Sequence, residues 1–423
     1  MESLRALQFK ALLNRVGPLL ESSINSIPPQ FPYIHSELHS HEIINHPQDS
    51  FHSATRFPIR LYQILCLSPM SQAKVPKSKG INYRLIMSLL MVFFHILMAL
   101  LSFIRLKTGG LSIFKSGSVL YFSGAALGMV LLIRVSRKWP LMITHWQLVE
   151  GYIGEQKYLR VKFLVISVLV ILPSMVSHVA YLPYSIFFSE HPPSISMFHL
   201  YMTRKFPQVY NLIPYSPWTA GLILLTNFSA NMIYCFVDQI ILMSSLALAG
   251  YFEQFNRRLL KYKSKILQPA EWKTLRMNYM RLCTLTSHVD DCICHLLFLT
   301  FVIHVYILCV DMYQGLLNKR DDAERIHVIL SFSVVLSRFV AICWNTVRVY
   351  EYSKTPLSVL YGVHQRSYCT EVELFTQQIL RTNTCLSGSH MFSMNRNFLL
   401  TIAGTIITFE LVLMQLKEIA ASI

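Results

Sequence analysis

Apolar residues along the chain gather into runs of about 20, the length of a helix that crosses a bilayer, separated by polar stretches rich in Lys and Arg. Seven such runs are expected to span: Leu85 to Ile104, Gly117 to Ile133, Phe163 to Leu182, Trp218 to Ser244, Cys292 to Gly315, Val328 to Val347 and Phe398 to Leu416. The fifth is the least uniform, because His295, His304 and Asp311 interrupt it. Between the spans the pattern changes. Phe51 to Leu67 places Ile59, Tyr62, Ile64 and Leu65 beside Arg56 and Arg60, which suits an interfacial helix under the membrane. Tyr251 to Thr286 reads as continuous helix projecting into the cytoplasm, interrupted only by Pro269. Glu371 to Asn383 carries Val372, Leu374, Phe375, Ile379 and Leu380 at helical spacing, a second amphipathic element. Two Pro-rich pieces, Ile27 to Pro32 and Ser68 to Lys79, flank the first of these helices.

Composition agrees with the pattern. Of 423 residues, 53% are hydrophobic and 14% charged, where a soluble protein carries about a quarter charged. A soluble enzyme and a disordered chain are both disfavoured. The net charge of +16 suggests nucleic acid until its distribution is read. The segment before Leu85 and the second, fourth and sixth loops hold 28 of the 38 Lys and Arg. The other loops and the tail hold 9, and Arg338 lies inside a span. Cytoplasmic loops collect positive charge, so the N-terminus is expected inside and, after seven spans, the C-terminus outside. No cleavable secretory signal is expected, since Arg5, Lys10 and Arg15 break the first 20 residues. No cysteine falls in an outer loop, where oxidation would favour disulfides. The expected fold is all-α: a polytopic plasma-membrane protein with a cytoplasmic segment over 1–84, six spans over 85–347, a cytoplasmic anchor segment over 348–397 and a last helix with a short external tail over 398–423.

Candidate chemistry narrows the picture by elimination first. His41-Glu42-Ile43-Ile44-Asn45-His46 spaces its histidines five apart, whereas a zinc hydrolase helix needs four. The neighbouring His35, His39 and His52 read as a solvated tail, and Cys292-Ile293-Cys294 lacks a second ligand pair. No metal or cofactor is expected, and no catalytic pair is visible. The polar residues inside the spans are more informative. Asn227, Asn231, Tyr234 and Asp238 share one face of the fourth span. Ser174, Ser177, His178 and Tyr181 share a face of the third near its outer end, and His304, Asp311 and Gln314 align on the fifth. Such groups are either interhelical glue or the wall of a wet cavity. Three polar faces at the outer leaflet favour a pocket, and amides, carboxylates and aromatic rings are what a sugar requires. The candidate ligand residues are Ser174, His178, Tyr181, Asn227, Asn231, Asp311 and Gln314. On the last span Thr401, Thr405, Thr408, Val412 and Gln415 form a narrow stripe, which suits the wall of a pore shared among subunits.

Several motifs then make the reading specific. Thr408-Phe409-Glu410-Leu411-Val412-Leu413-Met414-Gln415-Leu416 resembles the T-Y-h-h-h-h-h-Q-F signature (h apolar) that closes the last helix of insect gustatory receptors. Glu410 and the preceding Ile402-Ala403-Gly404-Thr405-Ile406-Ile407 resemble the sugar-receptor subfamily. Phe51-His52-Ser53-Ala54 with Pro58 resembles that subfamily's F-H-x-A-x-x-P segment. Phe236-Val237-Asp238, Gln254-Phe255-Asn256, Glu371-Val372, Gln377 and Leu386-Ser387-Gly388 match further stretches in order. Phe409 and Leu416 depart from the usual Tyr and Phe. The resemblance implies a homo- or heterotetrameric ligand-gated channel that passes sodium, potassium and calcium ions. It further implies a sugar pocket in the outer half of each subunit and four last helices around the pore, with Thr405, Thr408, Val412, Gln415 and Leu416 as the pore and gate positions. The alternatives are a seven-span receptor signalling through a G protein and a gustatory receptor for a non-sugar tastant. The first predicts an external N-terminus and an outer disulfide, and the charge and cysteine patterns oppose both. A transporter would show inverted repeats, which the seven spans lack.

Overall fold

The computed structural model describes residues 50–65, 67, 83–108, 113–187, 195–263, 265–316 and 322–422, all within one compact unit, Gln48–Ile423. The Pro-rich pieces and His35, His39, His41 and His46 lie outside the described residues. The described chain is almost wholly helical. In order it forms α1 (Phe51–Ile64), α2 (Tyr83–Thr108), α3 (Ile113–Ile153), α4 (Leu159–Phe187), α5 (Ile195–Lys205), α6 (Pro207–Tyr210), α7 (Pro217–Leu260), α8 (Pro269–Leu316), α9 (Asp322–Lys354), α10 (Pro356–Leu360), α11 (Thr370–Arg381), a hairpin of β1 (Ser387–Gly388) with β2 (Phe392–Ser393), and α12 (Arg396–Ser422).

Among the described residues six helical segments are long and apolar enough to cross a membrane: Tyr83–Thr108, Ser116–Ile153, Leu159–His178, Pro217–Leu260, Pro269–Tyr313 and Val328–Leu360. The helices they belong to, α2–α4 and α7–α9, contain the first six expected spans, and the 27-residue α12 contains the seventh run. The helices outrun the apolar runs because charged residues extend them without interrupting the backbone. At 1.5 Å per residue, α7 with 44 residues and α8 with 48 reach about 65–70 Å, roughly twice a hydrocarbon core. Both overhang at the ends that carry the fourth loop's Lys and Arg.

Solvation by lipid inverts the usual amphipathic arrangement. On α2 the buried positions are Ser88, Met91, His95, Met98 and Ser102, at three–four spacing, while Leu89, Phe93, Ile96, Leu100 and Phe103 face outward. Small and polar groups turn inward because lipid offers no hydrogen bond. His95 accordingly holds Met91 O at 2.6 Å and Ser229 Oγ at 3.2 Å. Central α7 is buried along nearly its whole apolar stretch, with α2, α3, α4, α8 and α9 packed around it.

Two segments differ from the sequence expectation. The fourth loop is not one continuous helix: α7 ends at Leu260, the chain turns over 261–268, and α8 starts at Pro269. Proline starts this helix rather than interrupting it, since the first turn has no use for its missing N–H. The turn is held by burial of Leu267, whose N–H donates to Ser367 Oγ at 3.0 Å. Helix α1 does not keep its apolar face for a membrane surface either. It buries Phe51, Ala54, Pro58, Ile59 and Tyr62 against α3, α4 and α7. Phe51 stacks on Trp146 at 3.7 Å and Tyr62 on Phe236 at 4.2 Å.

Below the spans, the overhangs of α7 and α8 join α10 and α11 in a second layer. Its core sets Tyr279 5.3 Å from Phe375 and 5.9 Å from Phe255, ring centre to ring centre, and Arg276 Nε donates to Glu371 Oε2 at 2.9 Å. The entry of α1 into the bundle depends on Glu150. Its Oε1 accepts from Phe51 N–H at 2.7 Å and from the Tyr251 hydroxyl. Glu150→Ala orphans both donors at about 1–3 kcal/mol each, whereas Glu150→Gln keeps a carbonyl acceptor. The alanine variant is therefore expected to melt well below wild type in detergent, with the glutamine variant between them. Equal melting temperatures for alanine and glutamine would show that the acceptor is not what anchors α1.

Candidate functional site

Helices α4 and α7 run antiparallel, and their polar residues meet as rungs. Toward the C-terminal end of α4 the Asn227 side-chain amide donates to His178 Nε2 at 3.2 Å. One turn further in, Ser174 Oγ donates to Asn231 Oδ1 at 3.1 Å. Deeper still the Gln239 amide reaches Ser167 Oγ. The four-residue steps 227 to 231 and 178 to 174 put both outer rungs on facing stripes, so the helical repeat alone aligns them. Aromatic groups complete the outer wall: Tyr121 OH donates to Asn227 O at 3.3 Å, and Tyr234 OH donates to Tyr121 O at 2.6 Å.

Helix α9 supplies the floor. Arg338 is 93% buried, and its Nη2 donates to Asp238 Oδ2 while Nη1 donates to Ser174 Oγ at 3.4 Å. His304 Nε2 on α8 lies 3.2 Å from the same Asp238 oxygen, and Thr300 Oγ1 donates to Oδ1 at 3.4 Å. Three helices, α7, α8 and α9, therefore meet at one carboxylate, and α4 joins them through the contact of Ser174 with Arg338. Asn231 Nδ2 and Arg338 Nε are buried and have no hydrogen-bond partner among the described residues. An unmade hydrogen bond of this kind costs about 1–3 kcal/mol, so the junction is suited to a polar occupant.

The structure thus brings together Ser174, His178, Asn227 and Asn231 of the sequence candidates. Asp311 is half-buried further out on α8, where Ser331 Oγ on α9 donates to its Oδ2 at 3.2 Å. Tyr181 and Gln314 lie on helical backbone, but their side chains lie outside the described residues. Arg338 and its link to Asp238 were not among the candidates. The available signal was the arginine itself: a guanidinium inside a span requires a carboxylate nearby, and the fourth span holds Asp238.

Above the spans, α5 packs on α4 and α6 on α2. Burial pushes the Lys205 ammonium of α5 down to about 8, and it lies 5.3 Å from the centre of the Tyr201 ring.

Helix α12 stands apart. Phe398, Leu399 and Ile402 at its base pack on the core, while Thr401, Thr405, Thr408, Val412 and Gln415 are exposed. The three threonine hydroxyls bond back to carbonyls four residues earlier, at 2.8–2.9 Å. The Leu416 side chain lies outside the described residues. The hairpin before α12 is clamped to α8. Asp290 accepts from Ser387 N–H and Ser387 Oγ, both at 2.6 Å, and His295 Nδ1 lies 2.9 Å from Ser389 Oγ. Phe392 of the hairpin stacks on Phe398 at 4.2 Å, and Phe301 of α8 touches both. Cys292 is buried, Cys294 Sγ lies 3.6 Å from His390 Nε2, and no group of three ligands suited to a metal exists among the described residues.

An outward-apolar bundle that gathers amide, hydroxyl and guanidinium groups in its interior defines the class: a multi-pass helical membrane protein. The chain belongs to the trehalose receptor family, whose model matches residues 38–422. It is 27% identical to the Drosophila melanogaster gustatory receptor for sugar taste 64a, covering 88% of this chain and 85% of that one. To sugar taste receptor 64f of the same fly it is 24% identical, over 87% and 81%, and to gustatory receptor 5a for trehalose 23%, over 87% and 86%. The fold is similar to that of the insect olfactory receptor OR5 from Machilis hrabei, with a TM-score of 0.65 at 12% identity, covering 86% of this chain and 99% of that one. The kinship expected from the last-helix signature is thereby established.

The buried pair yields a direct expectation. Removing one partner of such a pair costs about 3–5 kcal/mol, because a bare charge remains, whereas replacing both with apolar groups can be neutral. Asp238→Ala should abolish surface expression and lower the melting temperature in detergent. The double change Asp238→Leu with Arg338→Met should recover both. Surface biotinylation checks this, and a double variant no better than the single would show that the pair is not the dominant cost.

Proposed function

We propose that the chain is a subunit of a sugar-gated, non-selective cation channel of the sensory plasma membrane. The observation that carries the reading is the paired rungs of α4 and α7, His178 with Asn227 and Ser174 with Asn231, in a chain whose relatives are named for sugar taste. Amide and hydroxyl groups that are neutral, closely spaced and lined by Tyr121 and Tyr234 match a neutral polyol better than an ion or an apolar odorant. Asp311, which accepts from Ser331 on α9, is a further candidate contact on α8, and Tyr181 and Gln314 remain candidates from the sequence.

The membrane arrangement follows from the 28 to 9 split of Lys and Arg: N-terminus cytoplasmic, C-terminus outside, α12 the seventh span. The exposed stripe of α12 is then the face that four subunits turn toward a common axis, in a homo- or heterotetramer. Thr405, Thr408 and Val412 line the conduit, and Gln415 with Leu416 forms its constriction. An amide ring carries no fixed charge, so sodium, potassium and calcium pass. Gating is a population shift: sugar binds more tightly to the bundle shape that favours the open pore.

Whole-cell recording during a panel of trehalose, sucrose, maltose, glucose and fructose tests the reading, with the chain expressed alone and together with a sugar-receptor relative. An inward current from at least one sugar is expected, reversing near 0 mV in mixed sodium and potassium. Silence under both conditions, with surface expression demonstrated, sinks it.

Gln415→Ala separates gate from pocket. It should raise the current without sugar and leave the half-activating sugar concentration within about twofold, since among the described residues α12 packs on the core through Phe398, Leu399 and Ile402 at its base. A shifted dose response at unchanged basal current would move Gln415 out of the gate.

A further inference from the structure

We infer that Asn231 and Arg338 form a floor to the ligand pocket that only donates hydrogen bonds, and that it selects an acceptor oxygen of a neutral sugar and rejects a sugar bearing an ammonium group. The inference rests on the sugar reading above and adds to it which ligand atom is read and by what.

The argument starts from Ser174. Arg338 has no acceptor, so at their contact Nη1 donates and Ser174 Oγ accepts. The Ser174 proton goes to Asn231, whose facing atom is the carbonyl oxygen, Oδ1. The Asn231 Nδ2 therefore points away from Ser174 and is buried without a partner among the described residues. Arg338 is in the same position. Nη1 and Nη2 are engaged by Ser174 and Asp238, while Nε is buried and unpartnered. Both side chains touch Ser174 Oγ, so the two unused donors border one junction of α4, α7 and α9.

Acceptors at that junction are already engaged. Asn231 Oδ1 takes the Ser174 proton, and the Asp238 oxygens face Arg338, Thr300 and His304. Of the side-chain N and O atoms of Asn231, Arg338 and Asp238, those left open are therefore N–H groups alone. A ring oxygen, a glycosidic oxygen or a hydroxyl that donates elsewhere satisfies them. A protonated amine offers no lone pair and meets a guanidinium, so it satisfies neither donor.

Binding to the full-length chain in detergent, read as sugar-dependent thermal stabilisation, tests this without requiring gating. The probes are D-glucose and trehalose, the monodeoxy and monoamino derivatives of each, and 5-thio-D-glucose for the ring oxygen. On wild type, loss of one particular oxygen should weaken binding at least tenfold, and an amino group there should abolish it. Asn231→Ala should weaken the parent sugar comparably and no longer distinguish it from that one derivative. Arg338→Lys, which keeps a cation opposite Asp238, should also flatten the distinction. If either variant weakens every derivative by the same factor as the parent, or changes nothing, the residues are structural and the inference fails. No stabilisation of wild type by either sugar series overturns it together with the sugar reading. The expected pattern without any sugar-evoked current overturns the channel reading alone.

Discussion

Everything in the bundle's interior is arranged around Asp238 and Arg338, one carboxylate and one guanidinium buried at 1% and 7% exposure. A single charge at that depth costs several kcal/mol even after relaxation, so neither residue is tolerable without the other. Their contact sets the rotation of α7 against α9. Thr300 and His304 on α8 and Ser174 on α4 contact the same pair, which sets those helices too. Apolar packing in lipid specifies register only weakly, since lipid tails are as apolar as leucine. The ion pair supplies the specificity that packing lacks, and it leaves donor groups pointing into the space above it.

Helix α8 connects this junction to α12. Its middle carries Thr300 and His304 beside Asp238, and Phe301 on the next position touches Phe392 and Phe398. About three turns back, Asp290 holds the hairpin through Ser387, and a Cβ on Gly388 would strike the Phe392 ring. The connection is a run of rigid contacts, from carboxylate to helix to hairpin to the base of α12. Beyond that base α12 makes few contacts within its own subunit, so a shift at the hairpin reaches its outer half without having to repack a core.

The spans were legible because a bilayer imposes one length and one polarity, and each apolar run from Leu85 to Val347 falls inside an observed helix. The second layer was only half legible. Glu371 to Asn383 reads correctly as helix, since its apolar residues keep helical spacing, but α1 and the break at 261–268 do not. For α1, an amphipathic pattern states that an apolar face is covered, not whether lipid or protein covers it. Phe51 against Trp146 is a contact between residues 95 apart in the chain, and no local pattern encodes it. At the site, the rungs of α4 and α7 were legible as faces. The pairing of Asp238 with Arg338 was not drawn, because hydropathy treats one arginine in a long apolar run as a minor interruption when energetically it is the largest one.

The residues that announce the family and the residues that would read the ligand are different sets. Phe51 and Ala54 of the first motif pack α1 against the bundle, and Phe236 and Asp238 of the second hold Tyr62 and Arg338. Gln254 and Asn256 donate to Ile153 O and Tyr352 O, and Ser387 and Gly388 build the hairpin clamp. Each is a scaffold contact, and each would be needed whatever the pocket binds. His178, Asn227, Ser174 and Asn231 belong to none of these motifs. Kinship at 22–27% identity therefore secures the scaffold. In the proposed function the choice of ligand rests on four side chains of α4 and α7 and on how Arg338 meets them, so chemistry at that junction, more than relatedness along the chain, would decide which sugar is held.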